Sequence, residues 1–139
     1  MRLANKNNHK GFTLLELLVV MVIIGLLVSY VAPNYFSQLG KSEVKVAKAQ
    51  INALTKALDA YRLDVGHYPP QEIGLAALNT PFPEELNWRG PYLQKTIPQD
   101  PWGNNYIYQI PGSKNEYDLF SYGKDGKPGG ISDNADIYN

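Results

Sequence analysis

From Phe12 to Ala32 the chain runs through twenty-one residues of which only Thr13, Glu16 and Ser29 are polar. At a helical rise of about 1.5 Å per residue such a run reaches roughly 30 Å, the thickness of a bilayer's hydrocarbon core. A chain that begins this way must place the segment in lipid or cover it with other protein. Glu16 sits one turn into the run. Insertion scales put an acid at the centre of a membrane helix at about 2.5–3.5 kcal/mol, so Glu16 needs a partner or a task. Arg2, Lys6 and Lys10 precede the run, and no acidic residue does. That bias holds the first ten residues on the cytoplasmic side and directs the remainder outward.

Three explanations compete for the segment. A cleaved secretory signal calls for a shorter apolar core and a small-x-small cleavage site. Here Ala32 is preceded two residues earlier by bulky Tyr30 and followed at once by Pro33, which makes a poor site. A plain membrane anchor satisfies the apolar length but leaves Glu16 and the Gly11-Phe12 junction without a reason. The third explanation rests on a family resemblance, taken up below.

Beyond the apolar run the helical pattern persists and becomes amphipathic. Val44, Ala47, Ile51, Leu54, Leu58 and Tyr61 recur at spacings of three and four, with Lys45, Lys48, Gln50, Lys56 and Asp59 between them. Such a stripe is one buried face of a helix. One helix from about Phe12 to about Leu63 is expected, bent or locally melted at Pro33, with Gly25 a second weak point. The face packs on the chain's own domain, since a coiled-coil seam would need more heptads. Gly66-His67-Tyr68-Pro69-Pro70 stops it.

The remaining chain has room for one small domain. There are no cysteines, so its loops must be tied by something other than disulfides. Residues 73–78 form a short helical turn that sends Leu75 and Leu78 to the core. Pro81, Pro83, Pro91, Pro98 and Pro101 mark irregular chain. Within it Trp88, Tyr92, Leu93 and Trp102 pin the loops to the core. Tyr106, Tyr108 and Ile110 alternate with Ile107 and Gln109 as in a half-buried strand. After a turn over residues 111–115, Tyr117, Leu119 and Ser121 alternate with Asp118, Phe120 and Tyr122, giving an antiparallel hairpin. The expected fold class is α+β, a long N-terminal helix packed on a small antiparallel sheet.

Catalysis finds no support. With His9 ahead of the apolar run, His67 is the one histidine of the outer region, and it is read as a turn residue. No Ser-His-Asp set, cysteine nucleophile or G-x-x-x-x-G-K loop is present. No basic patch with interleaved aromatics points to nucleic acid. The tail, residues 123–139, holds four glycines (123, 126, 129 and 130) and three aspartates, Asp125, Asp133 and Asp136. Flexible chain is the plain explanation of such a segment. The spaced carboxylates favour a bound cation: calcium takes six to eight oxygens from carboxylates and carbonyls, and glycines let carbonyls turn inward. The spacing is not that of an EF-hand, because Lys127 and Gly129 stand where Asp or Asn is required.

Lys10-Gly11-Phe12-Thr13-Leu14-Leu15-Glu16 resembles the processing site of type IV pilins and type II secretion pseudopilins. Further stretches follow in order: 66–69, 74–78, 90–93, 98–104 and 116–123. Over essentially the whole chain they resemble the major pseudopilins of type II secretion systems. The leader is somewhat longer than in the shortest members.

The resemblance implies a type IV pilin-like fold and a structural role. Residues 1–11 would be a leader cut by the prepilin peptidase between Gly11 and Phe12, with N-methylation of Phe12. Residues 12–34 would be the transmembrane half of the helix, 35–65 its amphipathic half and 66–139 the periplasmic globular region. The chain would lie in the inner membrane, pass it once and expose its C-terminal domain to the periplasm. It would assemble with copies of itself into a helical filament, with minor pseudopilins and an inner-membrane assembly platform as partners. Glu16 would meet the Phe12 amine of a neighbouring subunit. Removing the leader leaves ten basic and thirteen acidic side chains. The resemblance also implies calcium in the C-terminal loop, with side chains of Asp125 and Asp133, carbonyls of Tyr122 and Lys127, and Asp136 as ligand or support. The major subunit of a type IV pilus is the nearest alternative, and a stand-alone membrane-anchored binding module the more distant one. The absence of a cysteine-closed loop favours the secretion system.

Overall fold

The computed structural model describes residues 11–139. By its contacts the chain divides into a unit that ends at Gln38 and a unit spanning Leu39–Asn139. One helix, α1 (Leu14–Val65, 52 residues), begins in the first and ends in the second.

In the first unit every large apolar side chain from Phe12 to Phe36 is exposed. Among the described residues α1 alone is long and apolar enough to cross a membrane. Pro33 lies inside α1 without ending it, so of the bend or local melting expected there this helix does not show the melting. Its ring nitrogen cannot donate to the carbonyl one turn back. The neighbouring turns keep their helical form across that gap, and Ser29 Oγ donates to the Leu26 carbonyl at 2.8 Å.

In the second unit α1 carries the core. Ala47, Ile51, Leu54, Leu58 and Tyr61 are buried as the stripe requires, joined by Ala57 and Val65, while Val44 is partly buried. Gly66, at φ +95°, ends the helix by donating its N–H to the Arg62 carbonyl at 2.8 Å. Glycine adopts this left-handed conformation without a Cβ penalty. A 3₁₀ turn (Gly74–Leu78) follows and buries Leu75, Ala77 and Leu78. The proline-rich stretch is held by its aromatics: Trp88 Nε1 donates to the Ala77 carbonyl at 2.7 Å, and Tyr92 Oη to Asp64 at 2.9 Å. His67 is an exposed turn residue, its Nε2 3.2 Å from a Glu85 carboxylate oxygen.

The sheet has three antiparallel strands in the order β1 (Ile107–Gln109), β2 (Asp118–Ser121), β3 (Ile137–Tyr138). Tyr108 pairs with Leu119, and Ser121 with Ile137. The hairpin is therefore present, but β2 does not alternate: all four of its residues are buried. It is the central strand, and the tail supplies β3 along its second edge. Phe120 stacks on Tyr138 at 4.9 Å between ring centres.

Candidate functional site

Two stretches carry the candidate residues. Gly11 and Phe12 are exposed just ahead of α1. The basic residues Arg2, Lys6 and Lys10 lie outside the described residues. Thr13 caps the helix: its Oγ accepts the Glu16 N–H at 3.2 Å, and Glu16 Oε2 accepts the Thr13 N–H at 2.8 Å and the Thr13 hydroxyl at 3.0 Å. This reciprocal arrangement satisfies two of the four N–H groups that a helix start leaves without partners. Glu16 therefore has a partner within its own chain, which the sequence reading overlooked although Thr-x-x-Glu is the spacing that announces it. Glu16 Oε1 accepts no hydrogen bond among the described residues.

The tail is wound by its own hydrogen bonds. Lys124 N–H donates to the Asp133 carbonyl at 3.0 Å, closing the loop base beside Gly123. Asp125 Oδ1 accepts the Lys127 N–H at 3.1 Å, and Oδ2 accepts no hydrogen bond among the described residues. Asp136 turns both carboxylate oxygens on the Gly129 N–H, at 3.1 and 3.0 Å. The Asp133 carboxylate lies against α1 at Gly40, where a Cβ would stand 2.1 Å from Oδ2, and it accepts no hydrogen bond among the described residues. Tyr122 is half-buried with its ring 5.2 Å from that of Phe120. Among the described residues no group of three or more His, Cys, Asp or Glu side chains stands together to hold a metal.

A buried hub that sequence reasoning missed supports this loop. Asp100, 4 % exposed, accepts N–H groups of Trp102 at 3.1 Å and Asn104 at 2.8 Å through Oδ1. Its Oδ2 accepts the Ser121 hydroxyl at 2.6 Å, and Ser121 Oγ accepts the Gly123 N–H at 3.1 Å. The proline-rich loop, β2 and the start of the tail meet there. An aspartate followed by residues that can turn back on it was the available signal.

Comparison with known proteins agrees with the geometry. The family model described as "Type II secretion system (T2SS), protein G" matches residues 34–139, well over half of the chain. The chain belongs to the type II secretion system protein G family. A second model, the prokaryotic N-terminal methylation motif, matches residues 6–32. Similar protein G chains include the type II secretion system core protein G of Pseudomonas aeruginosa, 44 % identical over 137 residues and 96 % of each chain. Another is that of Vibrio cholerae, 48 % identical over 132 residues, covering 93 % of this chain and 90 % of the relative. Among solved structures, the crystal structure of the major pseudopilin from the type 2 secretion system of enterohaemorrhagic Escherichia coli is similar. Its TM-score is 0.62 at 37 % identity, covering 77 % of this chain and 94 % of that one. The likeness supports the long helix with a small antiparallel sheet as a fold common to this chain and that pseudopilin.

Proposed function

We propose that this chain is the major structural subunit of a pseudopilus, the periplasmic filament by which type II secretion moves folded proteins across the outer membrane. The observation that carries the reading is the protein G match over residues 34–139, joined to the methylation motif over 6–32. The exposed apolar half of α1 fits it, because such a surface has to be covered by lipid before assembly and by neighbouring subunits after it. Residues 1–11 are the leader, residues 12–34 lie in the inner membrane and residues 66–139 face the periplasm. The prepilin peptidase, the assembly platform and minor pseudopilins are the partners this role requires. No substrate is turned over.

The exposed Gly11-Phe12 junction is the cleavage point, and Phe12 is then methylated. Glycine leaves the scissile bond accessible where the apolar run meets the cytoplasmic interface. Intact-mass analysis of membrane-extracted protein tests this: residues 1–11 should be gone and one methyl group added. Full-length chain in cells with an active peptidase would refute it.

Calcium in the tail belongs to the same reading. The donor chemistry fits: Asp125 Oδ2 and the Asp133 carboxylate are free of hydrogen bonds among the described residues, and Gly126, Gly129 and Gly130 lie between them. Asp125, Asp133 and the carbonyls of Tyr122 and Lys127 would hold the ion. Asp136, already turned on Gly129, would tie the loop around it. The cation would neutralise the carboxylates and close the loop where other small exported domains use a disulfide.

A further inference from the structure

The lysines that open the second unit have no ion-pair or hydrogen-bond partner among the described residues. Lys41, Lys45 and Lys48 are exposed and fall at spacings of four and three, one face of α1. None forms an ion pair or side-chain hydrogen bond among the described residues. Glu43 is the one acidic residue between Leu39 and Leu58, and it is turned away: its Oε2 accepts Trp102 Nε1–H at 3.0 Å. The nearest carboxylate brought to the lysine face by another element is that of Asp133, at Gly40, and among the described residues no ion pair compensates the face. Its place in the sequence makes that unusual, since lysines next to a membrane span collect on the cytoplasmic side and these follow it on the outer side. Immediately before them come Tyr30, Tyr35 and Phe36, all well exposed, the residue types that settle at a bilayer's interface. Lys41 follows Tyr35 by six residues, under two helical turns.

We propose that the Lys41–Lys45–Lys48 face engages anionic phospholipid headgroups of the outer leaflet while the subunit resides in the membrane. This rests on the reading that the apolar half of α1 lies in the bilayer. The observations favour a lipid surface over a second copy of the chain because the lysines follow the interface-type aromatics and the apolar run directly in the sequence. A lysine stem can run along the helix and lift its ammonium to the headgroups. Attraction to an anionic surface fades within a Debye length, so the three residues should respond in order of their distance from Tyr35.

The test places the full chain, one copy per disc, in lipid nanodiscs of pure phosphatidylcholine or of phosphatidylcholine with phosphatidylglycerol in equal parts. The acetylation rate of each lysine is read by mass spectrometry. An anionic surface keeps the ammonium protonated, and only the free amine reacts. Lys41 should react about five-fold more slowly in the anionic discs, the factor equivalent to about 1 kcal/mol for a lysine at such a surface. Lys45 should be slowed less and Lys48 least, with Lys114 and Lys124 unchanged and the whole effect lost in high salt. Equal rates for Lys41 in both discs would overturn the proposal. Protection that needs several copies per disc would do so too, by making this face a contact between subunits. A chain that fails to stay with either disc would instead overturn the membrane reading, and this proposal with it.

Discussion

Removing the Asp100 carboxylate should come close to unfolding the outer domain. The residue is 4 % exposed and accepts three hydrogen bonds, two from backbone N–H groups of its own loop and one from Ser121 on β2. In Asp100→Ala all three donors lose their acceptor, the Ser121 hydroxyl at a buried position and the two backbone N–H groups at partly buried ones. Hydrogen bonds to charged groups are each worth about 1.5–3 kcal/mol and do not add fully, so a net loss of about 3–5 kcal/mol is expected. Small domains have about 5–15 kcal/mol in total. At about 4–8 °C per kcal/mol for a domain near a hundred residues, the midpoint should fall by at least about 12 °C. Asp100→Asn keeps Oδ1 for the two N–H groups but turns an amide N–H toward Ser121 Oγ, which already accepts from Gly123. Its loss should be smaller, about 1–2 kcal/mol. The assay is a thermal melt of the full chain in detergent followed by near-ultraviolet circular dichroism, which reports tyrosine and tryptophan packing instead of the long helix. A midpoint for Asp100→Ala within about 4 °C of the parent would refute the hub, since that corresponds to 1 kcal/mol or less.

Chelation should lower the same midpoint and raise protease sensitivity after Gly123, because a ligand bound only by the folded loop stabilises it by mass action. Identical melts with calcium and with excess chelator, or an Asp125→Ala variant that still gains stability from calcium, would remove the site. Gly130→Ala should open the tail: φ is +87°, a Cβ would stand 2.2 Å from the Asn134 carbonyl oxygen, and the left-handed conformation alone costs a non-glycine residue about 1–2 kcal/mol. Faster tail proteolysis is the readout, and parental rates would contradict it. Burial first, and then the charges of Glu85 and Asp100 respectively, push the Tyr61 and Tyr106 hydroxyls up to about 12. Unfolded tyrosine ionises near pH 10, so the folded state binds more protons between those values. The stability these residues contribute is therefore full below about pH 10 and lost as pH rises through about 12. Ultraviolet titration should show a cooperative late release of tyrosinate, and ten tyrosines titrating smoothly near pH 10 would exclude it.

The elements legible in the sequence are those whose pattern is local. The Val44-to-Tyr61 stripe repeats over five turns, so α1 and its buried face could be read without a partner, as could Leu75 and Leu78 on their single turn. Trp88 and Trp102 were readable as loop anchors because large aromatics amid prolines have little else to do. What failed depended on pairing across the chain. Ile137 and Tyr138 form too short a strand to show a period, and its tail neighbours are glycine and aspartate. Missing β3 meant taking β2 for a half-exposed strand, since nothing in Asp118–Ser121 says that a second edge is covered. The same blindness hid Asp100, whose meaning lies in Ser121 twenty-one residues on, and Gly40, which looks like a flaw in a helix until Asp133 is laid against it.

Glu16 is where the two views must be reconciled, because it now has two partners to account for. The family resemblance implies a neighbour's Phe12 amine as its partner, and the cost of a lone acid in lipid agrees that it needs one. The structure shows that it is not alone: Oε2 closes a capping box with Thr13. Pairing between subunits then adds to an existing arrangement, through Oε1 or by exchange, and its net gain is smaller than that for a naked carboxylate. The two roles separate by substitution. Glutamine suits the third position of a capping box, so Glu16→Gln should start α1 normally and lose only the charge. Glu16→Ala loses both the charge and a cap interaction of about 0.5–2 kcal/mol. If the neighbour's amine needs the charge, both variants should insert into the membrane and neither should build filaments. Filaments from Glu16→Gln but not from Glu16→Ala would show that helix capping is what assembly requires, and the assignment to a neighbouring amine would fall.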